Sequence, residues 1–377
     1  MGSRPLLPIL AFCAAFGAAA PVAAQSAEQG SETQAPARLG PRVPWHTTLL
    51  LWENAVDAQT IGLGRDYQSR NPVYEMMFRL APRYYLFEDE LHSLSARADV
   101  RLIREFTNSD TTTREGEWTF ADAEAWLAYV RTVRRTPSSH TDLMLRLPSL
   151  SFPTSKNSWS SGRTLGLGAG FGADHELPLR GSGHALSSAL LRPRVVYTYQ
   201  LVDTPVATNS GFARVRLDPD GRSLPSDQLS GAALPQHMLN VSLRIDTTLL
   251  ESVRMITELG LRYTRRYALP EPVQLNNVPT GPVVVDSGPN PSRWDVVTLF
   301  STGVYYQFTP YADVGVGYEN LAQQLGADGR RRGFFYSPGA RVFLSFMVTL
   351  DEFYHHVRDE QAPEPYQTAG AAGPFAL

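Results

Sequence analysis

Apolar and polar residues alternate along most of this chain with a period of two. Tyr74, Met76, Phe78, Leu80, Pro82, Tyr84 and Leu86 share one face, and Glu75, Met77, Arg79, Ala81, Arg83 and Tyr85 share the other. Leu94, Ala96, Ala98, Val100 and Leu102 oppose Ser95, Arg97, Asp99, Arg101 and Ile103. Leu143, Leu145 and Leu147 oppose Asp142, Met144 and Arg146, and Leu239, Val241, Leu243 and Ile245 oppose Asn240, Ser242, Arg244 and Asp246. Such alternation belongs to an extended strand, whose successive side chains point to opposite faces. Twelve runs carry it, near 46–55, 73–87, 92–106, 118–134, 140–150, 163–173, 190–201, 237–247, 253–267, 296–308, 311–320 and 335–349. The first is the least regular, because Leu49, Leu50 and Leu51 blur its alternation.

Soluble sandwiches alternate too, so three further features matter. Many runs are 11 to 15 residues long, against about 5 to 6 for an ordinary strand and about 9 to 11 for one that crosses a membrane. The connections are short at 88–91, 136–139, 249–252 and 309–310, and long at 56–72, 107–117, 202–236, 268–295 and 321–334. The connection 174–189 is the exception, sixteen residues where a short turn is expected. Aromatic residues crowd the strand ends, at Tyr84, Tyr85 and Phe87, at Trp118 and Phe120, at Tyr305, Tyr306 and Phe308, and at Phe334, Phe335 and Tyr336.

These features make the chain resemble bacterial outer-membrane β-barrels as a class, over about residues 42–350. The resemblance implies an all-β fold: a transmembrane, antiparallel, up-and-down barrel of about twelve strands, with short periplasmic turns, long external loops and aromatic girdles at both interfaces. It implies residence in the outer membrane of a Gram-negative bacterium, with outer-membrane lipid and the barrel-assembly machinery as partners. Members of the class usually end the last strand, and the chain, on an aromatic residue. Here a tail follows.

The chain ends fit that expectation. Arg4, the apolar run Leu6–Ala20 and Val22-Ala23-Ala24 before Gln25 form a secretory signal over residues 1–24. Residues 25–42 read as a flexible lead-in, 43–350 as the barrel and 351–377 as a tail. Cys13, the only cysteine, lies inside the signal behind Phe12, which does not fit a lipidation site. An exported chain of this kind has no disulfide and no thiolate metal site. The lead-in is too short for a plug or a secreted passenger.

Charge sharpens the picture. Only 19% of the 377 residues are charged, the net charge is -3, and Lys156 is the only lysine. No basic stripe supports nucleic-acid binding. The charged residues instead fall on the polar faces of the strands. Glu75, Arg79, Arg83, Arg97, Asp99, Arg101, Glu105, Asp122, Glu124, Arg146, Arg192 and Arg194 are among them, with Arg244, Asp246, Glu258, Arg262, Asp313, Glu319 and Arg341. A basic group facing lipid at the midplane costs about 2 to 4 kcal/mol, so these residues are expected to line the lumen. They define either a water-filled channel for small hydrophilic solutes or a packed interior in which arginine and carboxylate pair. The second reading makes the protein a closed structural or surface-exposed barrel whose loops bind partners.

Other chemistry is weakly signalled, and no cofactor or metal is expected. Gly166, Gly168, Gly170 and Gly172 alternate with Leu165, Leu167, Ala169 and Phe171, and lack the spacing of a nucleotide-binding loop. They read as a small-residue lumen face that leaves room for arginines, as do Gly315 and Gly317. Asp218, Asp220, Gly221, Ser223 and Asp227 read as a turn rather than a calcium loop. The histidines (His46, His92, His140, His175, His184, His237, His355 and His356) give no evident serine–histidine pairing of the kind a barrel hydrolase needs. His355 and His356 read as part of a solvated tail.

The loop order makes a direct prediction. Cysteine placed at Arg222 is expected to react with an impermeant maleimide on intact cells, and cysteine placed at Glu251 to react only after the outer membrane is breached. The reverse pattern would invert the topology.

Overall fold

The computed structural model describes residues 43–358, apart from 59, 63–72, 108–115, 137–138, 180–187, 206–215, 218–222, 225–232, 251, 269–272, 276–282, 286–293, 324–331 and 338. The signal and lead-in (1–42), the end of the tail (359–377) and most of the acidic loop 218–227 lie outside the described residues.

Twelve antiparallel strands form one closed wall. They are β1 (Leu49–Asp57), β2 (Tyr74–Ala81, continued as Arg83–Glu88), β3 (His92–Glu105), β4 (Trp118–Phe120, continued as Ala123–Thr136), β5 (Ser139–Phe152) and β6 (Arg163–Pro178). The others are β7 (Ser188–Val202), β8 (Pro235–Leu250), β9 (Val253–Arg266), β10 (Trp294–Thr309), β11 (Ala312–Gln323) and β12 (Arg341–Thr349). Each strand pairs with its neighbours in sequence, and β1 pairs with β12 from Leu49↔Thr349 to Asp57↔Arg341, which closes the barrel. Two-stranded hairpins, Arg216–Leu217 with Ser223–Leu224 and Val273–Leu275 with Val283–Val285, stand in two of the long connections. No described helix is long and apolar enough to cross a membrane. The strands, mostly 12 to 16 residues, have the length to do so.

The wall explains the irregularities of the sequence. Pro82 interrupts β2 because it has no N–H to donate. Its carbonyl still accepts from the Ala98 N–H at 3.0 Å, and the pairing Leu80↔Val100 resumes in register at Arg83↔Arg97. In β4 the break at residues 121–122 shifts the register by one, from Leu102↔Phe120 to Asp99↔Glu124. Such a bulge bends the strand and re-aims its side chains. Part of the connection read at 174–189 is strand: β6 runs on to Pro178 and β7 begins at Ser188, with 180–187 outside the described residues.

Both faces of the wall follow from the alternation. Leu80, Leu86, Leu145, Leu147, Leu167, Phe171, Val241, Val304 and Leu344 face outward, each more than a third exposed. Tyr84, Tyr306 and Phe308 ring the turn end, and Tyr74, Trp118, Phe120 and Trp294 ring the loop end. Outward tyrosines near each end bond histidines, Tyr129 with His92 at 2.6 Å and Tyr197 with His237 at 2.7 Å. The inward face of β1 is apolar near the turns, where Leu49 and Leu51 pack on Met347, Met77 and Ala81. With Leu50 on the outside, this is why the alternation of that strand is blurred.

One residue's displacement along a strand reverses the face. Leu243→Arg is therefore expected to destabilise the barrel by about 2 to 4 kcal/mol in lipid. Ser242→Arg, facing inward beside Gly260, is expected to be tolerated. Urea unfolding in liposomes checks both, and equal damage would contradict an outer face exposed to lipid.

Candidate functional site: the barrel interior

A closed barrel has one interior, and burial marks the face that turns to it. Arg79 and Asp99 are each 3% exposed, Glu258 3% and Glu105 1%. Arg83, Arg97, Arg101, Glu124, Arg146, Arg194, Arg244, Asp246, Arg262, Glu319 and Arg341 occupy the same alternate positions of their strands, as do Glu75, Arg192 and Asp313. Asp122 departs from this pattern. It sits in the β4 bulge, accepts from the Ser155 N–H at 3.0 Å and the Ser158 hydroxyl, and lies 3.5 Å from Arg163. It thus anchors the short helix α1 (Lys156–Ser160) at the loop end and does not join the inward series.

The register sets several like charges directly opposite one another: Glu75↔Glu105, Arg79↔Arg101 and Arg83↔Arg97 between β2 and β3, Asp142↔Asp174 between β5 and β6, and Arg192↔Arg244 between β7 and β8. Like charges directly opposite destabilise a sheet, and opposite charges offset this. Asp99 accepts from Arg79 Nε at 2.7 Å and from Arg101 Nε at 2.9 Å. Asp246 accepts from Arg244 Nε at 2.5 Å and lies 3.2 Å from Arg192. Asp174 pairs with Arg194 and lies 3.9 Å from Arg192. Asp142 meets His140 at 2.7 Å and the Thr132 hydroxyl at 2.8 Å. Arg146 pairs with Glu124 at 2.7 Å while its guanidinium lies 4.1 Å from the Trp126 ring centroid. Arg341 meets Asp57 at 3.1 Å, Glu75, and Glu319 at 4.0 Å.

Glu53, Asp57, Asp142, Asp174 and Arg254 are further interior charges, beyond those expected from the sequence to line the lumen. Asp57 and Asp174 fell in segments read as connections, and Glu53 in the blurred first run. The series Leu49, Leu51, Glu53, Ala55, Asp57 was the signal that could have found two of them. Also missed were Tyr305 and Phe343, 1% and 2% exposed, which pack with Ala55 and Ile256. Gly315 and Gly317 leave space for these rings, rather than for the arginines expected there. Gly172 does serve an arginine: a Cβ on it would lie 2.5 Å from Arg194 Cδ.

At the turn end the chain after β12 is a helix, α2 (Leu350–Val357), which corrects the reading of His355 as solvated. His355 is 1% exposed and Asp351 9%, one helical turn apart on the buried face. Asp351 accepts from the Thr47 N–H at 2.7 Å. Trp45 packs on Tyr354 and Tyr311 on Phe353, at ring separations of 5.5 and 5.3 Å. Burial, with the neighbouring Asp351 and Asp313 carboxylates, pushes Glu352 up to about 7. In the β2–β3 turn the Leu91 and His92 N–H groups hold Asp89 below the usual carboxylate range.

Histidine chemistry is distributed around the barrel. His46 stacks on Tyr85 at 3.8 Å and lies 3.4 Å from Glu88, and His175 bonds the Thr141 hydroxyl at 2.8 Å. No group of three or more His, Cys, Asp or Glu side chains that could hold a metal occurs among the described residues.

Fold and interior together define an antiparallel up-and-down β-barrel of the outer-membrane kind. No known protein-family model matches the chain, and no curated protein does. Among solved structures the chain is similar to an outer-membrane channel from Pseudomonas putida F1, at 9% identity and a TM-score of 0.44, over 84% of this chain and 99% of that one. It is similar to the KdgM porin at 7% identity and a TM-score of 0.32, over 80% and 98%. It is also similar to outer membrane phospholipase A from Escherichia coli, at 12% identity and a TM-score of 0.34, over 81% and 93%.

The buried ion pairs yield a contrast. Asp99→Asn leaves Arg79 and Arg101 opposed and is expected to cost about 3 to 5 kcal/mol. Asp295→Asn breaks a pair with Arg266 whose side chains are 51% and 40% exposed, and is expected to cost at most about 1 kcal/mol. Heat-modifiable mobility on gels and thermal melting in detergent measure both.

Proposed function

We propose that this barrel resides in the outer membrane of a Gram-negative bacterium and passes small hydrophilic solutes passively through a lumen of mixed charge. One observation carries the reading: a single closed wall turns an apolar face outward and a face of arginines and carboxylates inward. A soluble barrel would need the opposite arrangement, with its apolar face buried. Guanidinium and carboxylate groups lining the inside suit a hydrated path, because they give water and polar solutes hydrogen-bonding partners along the way. The lining in this reading comprises the inward residues from Arg79 to Arg341 described above. Tyr305 and Phe343 take up space within it, since these rings lie over Gly315 and Gly317 and pack with Ala55 and Ile256. Near balance of the two charges favours permeation of solutes over strong exclusion of either ion.

A second reading is favoured by the burial of Arg79, Asp99 and Glu258, each 3% exposed. Charges this buried are held by packing, and a barrel packed along its whole length would be a structural or partner-binding protein that conducts nothing.

Single-channel recording on reconstituted protein separates the two readings. Steady conductance is expected from the wild type. Phe343→Ala and Tyr305→Ala are expected to raise it, because each removes a bulky ring from the interior. A protein that is folded by its heat-modifiable mobility, yet silent in all three forms, would leave the structural reading.

A further inference from the structure

Three rungs of the wall set arginine directly opposite arginine, and two of them share one solution. Arg79 and Arg101 hold Asp99 between them, and Arg192 and Arg244 hold Asp246. In both, one carboxylate accepts from two guanidinium groups. The third rung, Arg83↔Arg97, has no carboxylate bonded to both arginines among the described residues; Asp174, which acts on Arg97 electrostatically, is paired with Arg194 and Arg192. Arg83 is 5% exposed and donates from Nη1 to the Tyr85 hydroxyl at 3.2 Å. Arg97 is half-buried and donates from Nε to Ser95 Oγ at 2.9 Å. On its other side Arg97 faces Trp126, an aromatic ring that supplies no counter-charge.

Two guanidinium groups so placed repel one another, and burial adds a desolvation penalty. An arginine fork matches a carboxylate with two parallel hydrogen bonds, a geometry an ammonium group does not reproduce. The rung lies in the turn-end half of the barrel, five residues from the end of β2 at Glu88 and five from the start of β3 at His92. The Tyr85 hydroxyl stands beside it as a further donor or acceptor.

We propose that Arg83 and Arg97 form a binding site for the carboxylate of a small solute, which takes the place that Asp99 and Asp246 occupy on the other two rungs. The site deepens the channel reading and rests on it for its role in permeation, so binding and permeation are measured separately.

The first measurement is thermal melting of the full chain in detergent, with potassium acetate replacing potassium chloride at constant ionic strength. Acetate is expected to raise the wild-type melting temperature by about 2–4 °C, since a ligand that binds only the folded state stabilises it. The rise is expected to vanish in Arg83→Ser/Arg97→Ser and to shrink in Arg97→Lys, which keeps the charge and loses the fork. Arg97→Lys also guards against a double variant that does not fold. Arg266→Ser is expected to keep the full rise. An acetate effect equal in wild type and Arg97→Lys, or absent from wild type, overturns the site, whatever the conductance. The second measurement is the reversal potential in a potassium acetate gradient, where the double variant is expected to lose acetate permeability relative to potassium. A melting shift in a protein that never conducts would keep the site and remove the channel. Conductance without a melting shift would do the reverse.

Discussion

The hydrogen bonds between β1 and β12 are the constraint on which the rest of this structure depends. In a bilayer, a strand cannot leave a row of N–H and C=O groups open, because no water reaches them. Pairing Leu49 with Thr349 and Asp57 with Arg341 removes the two edges that an open sheet would have. Once the wall is closed, each strand has only an outside and an inside. Every second residue is committed to each, which gives the simple period of two its meaning in three dimensions.

Closure also creates the interior's main electrostatic difficulty. The register that satisfies the backbone brings arginine opposite arginine and acid opposite acid on neighbouring strands. Diagonal contacts offset this, with Asp99, Asp174 and Asp246 each reaching two arginines. The same crowding explains the small residues of β6 and β11. Gly172 makes way for Arg194, and Gly315 and Gly317 for Tyr305 and Phe343. Interior charge and interior packing are thus one arrangement, in which removing a single carboxylate disturbs two strands at once.

Strand number, the alternation of faces and most of the inward charges were legible in the sequence, because each strand carries its own pattern. Arg79, Arg97, Asp99 and Arg101 could be assigned to one face from their spacing alone. The failures have local causes. Asp122 was placed in the inward series because the bulge that displaces it leaves no mark on the residue types around it. Asp174 was read as part of a turn because the glycine-rich face before it fades into polar residues. His355 was read as solvated because eight residues of helix, too short to stand alone, gain their stability from the rim they pack on.

The sequence by itself determined that this is a barrel wall, about how many strands it has and the alternation of its two faces, since those properties depend on residues one and two apart. Tertiary structure alone decided which inward groups meet. Whether an arginine finds a carboxylate depends on register between strands far apart in sequence, as when Arg341 meets Asp57 across the seam. That register is set by bulges and turns whose effect accumulates around the wall. The Arg83–Arg97 rung became visible for the same reason: its two residues look like any other inward arginines until the pairing places them face to face.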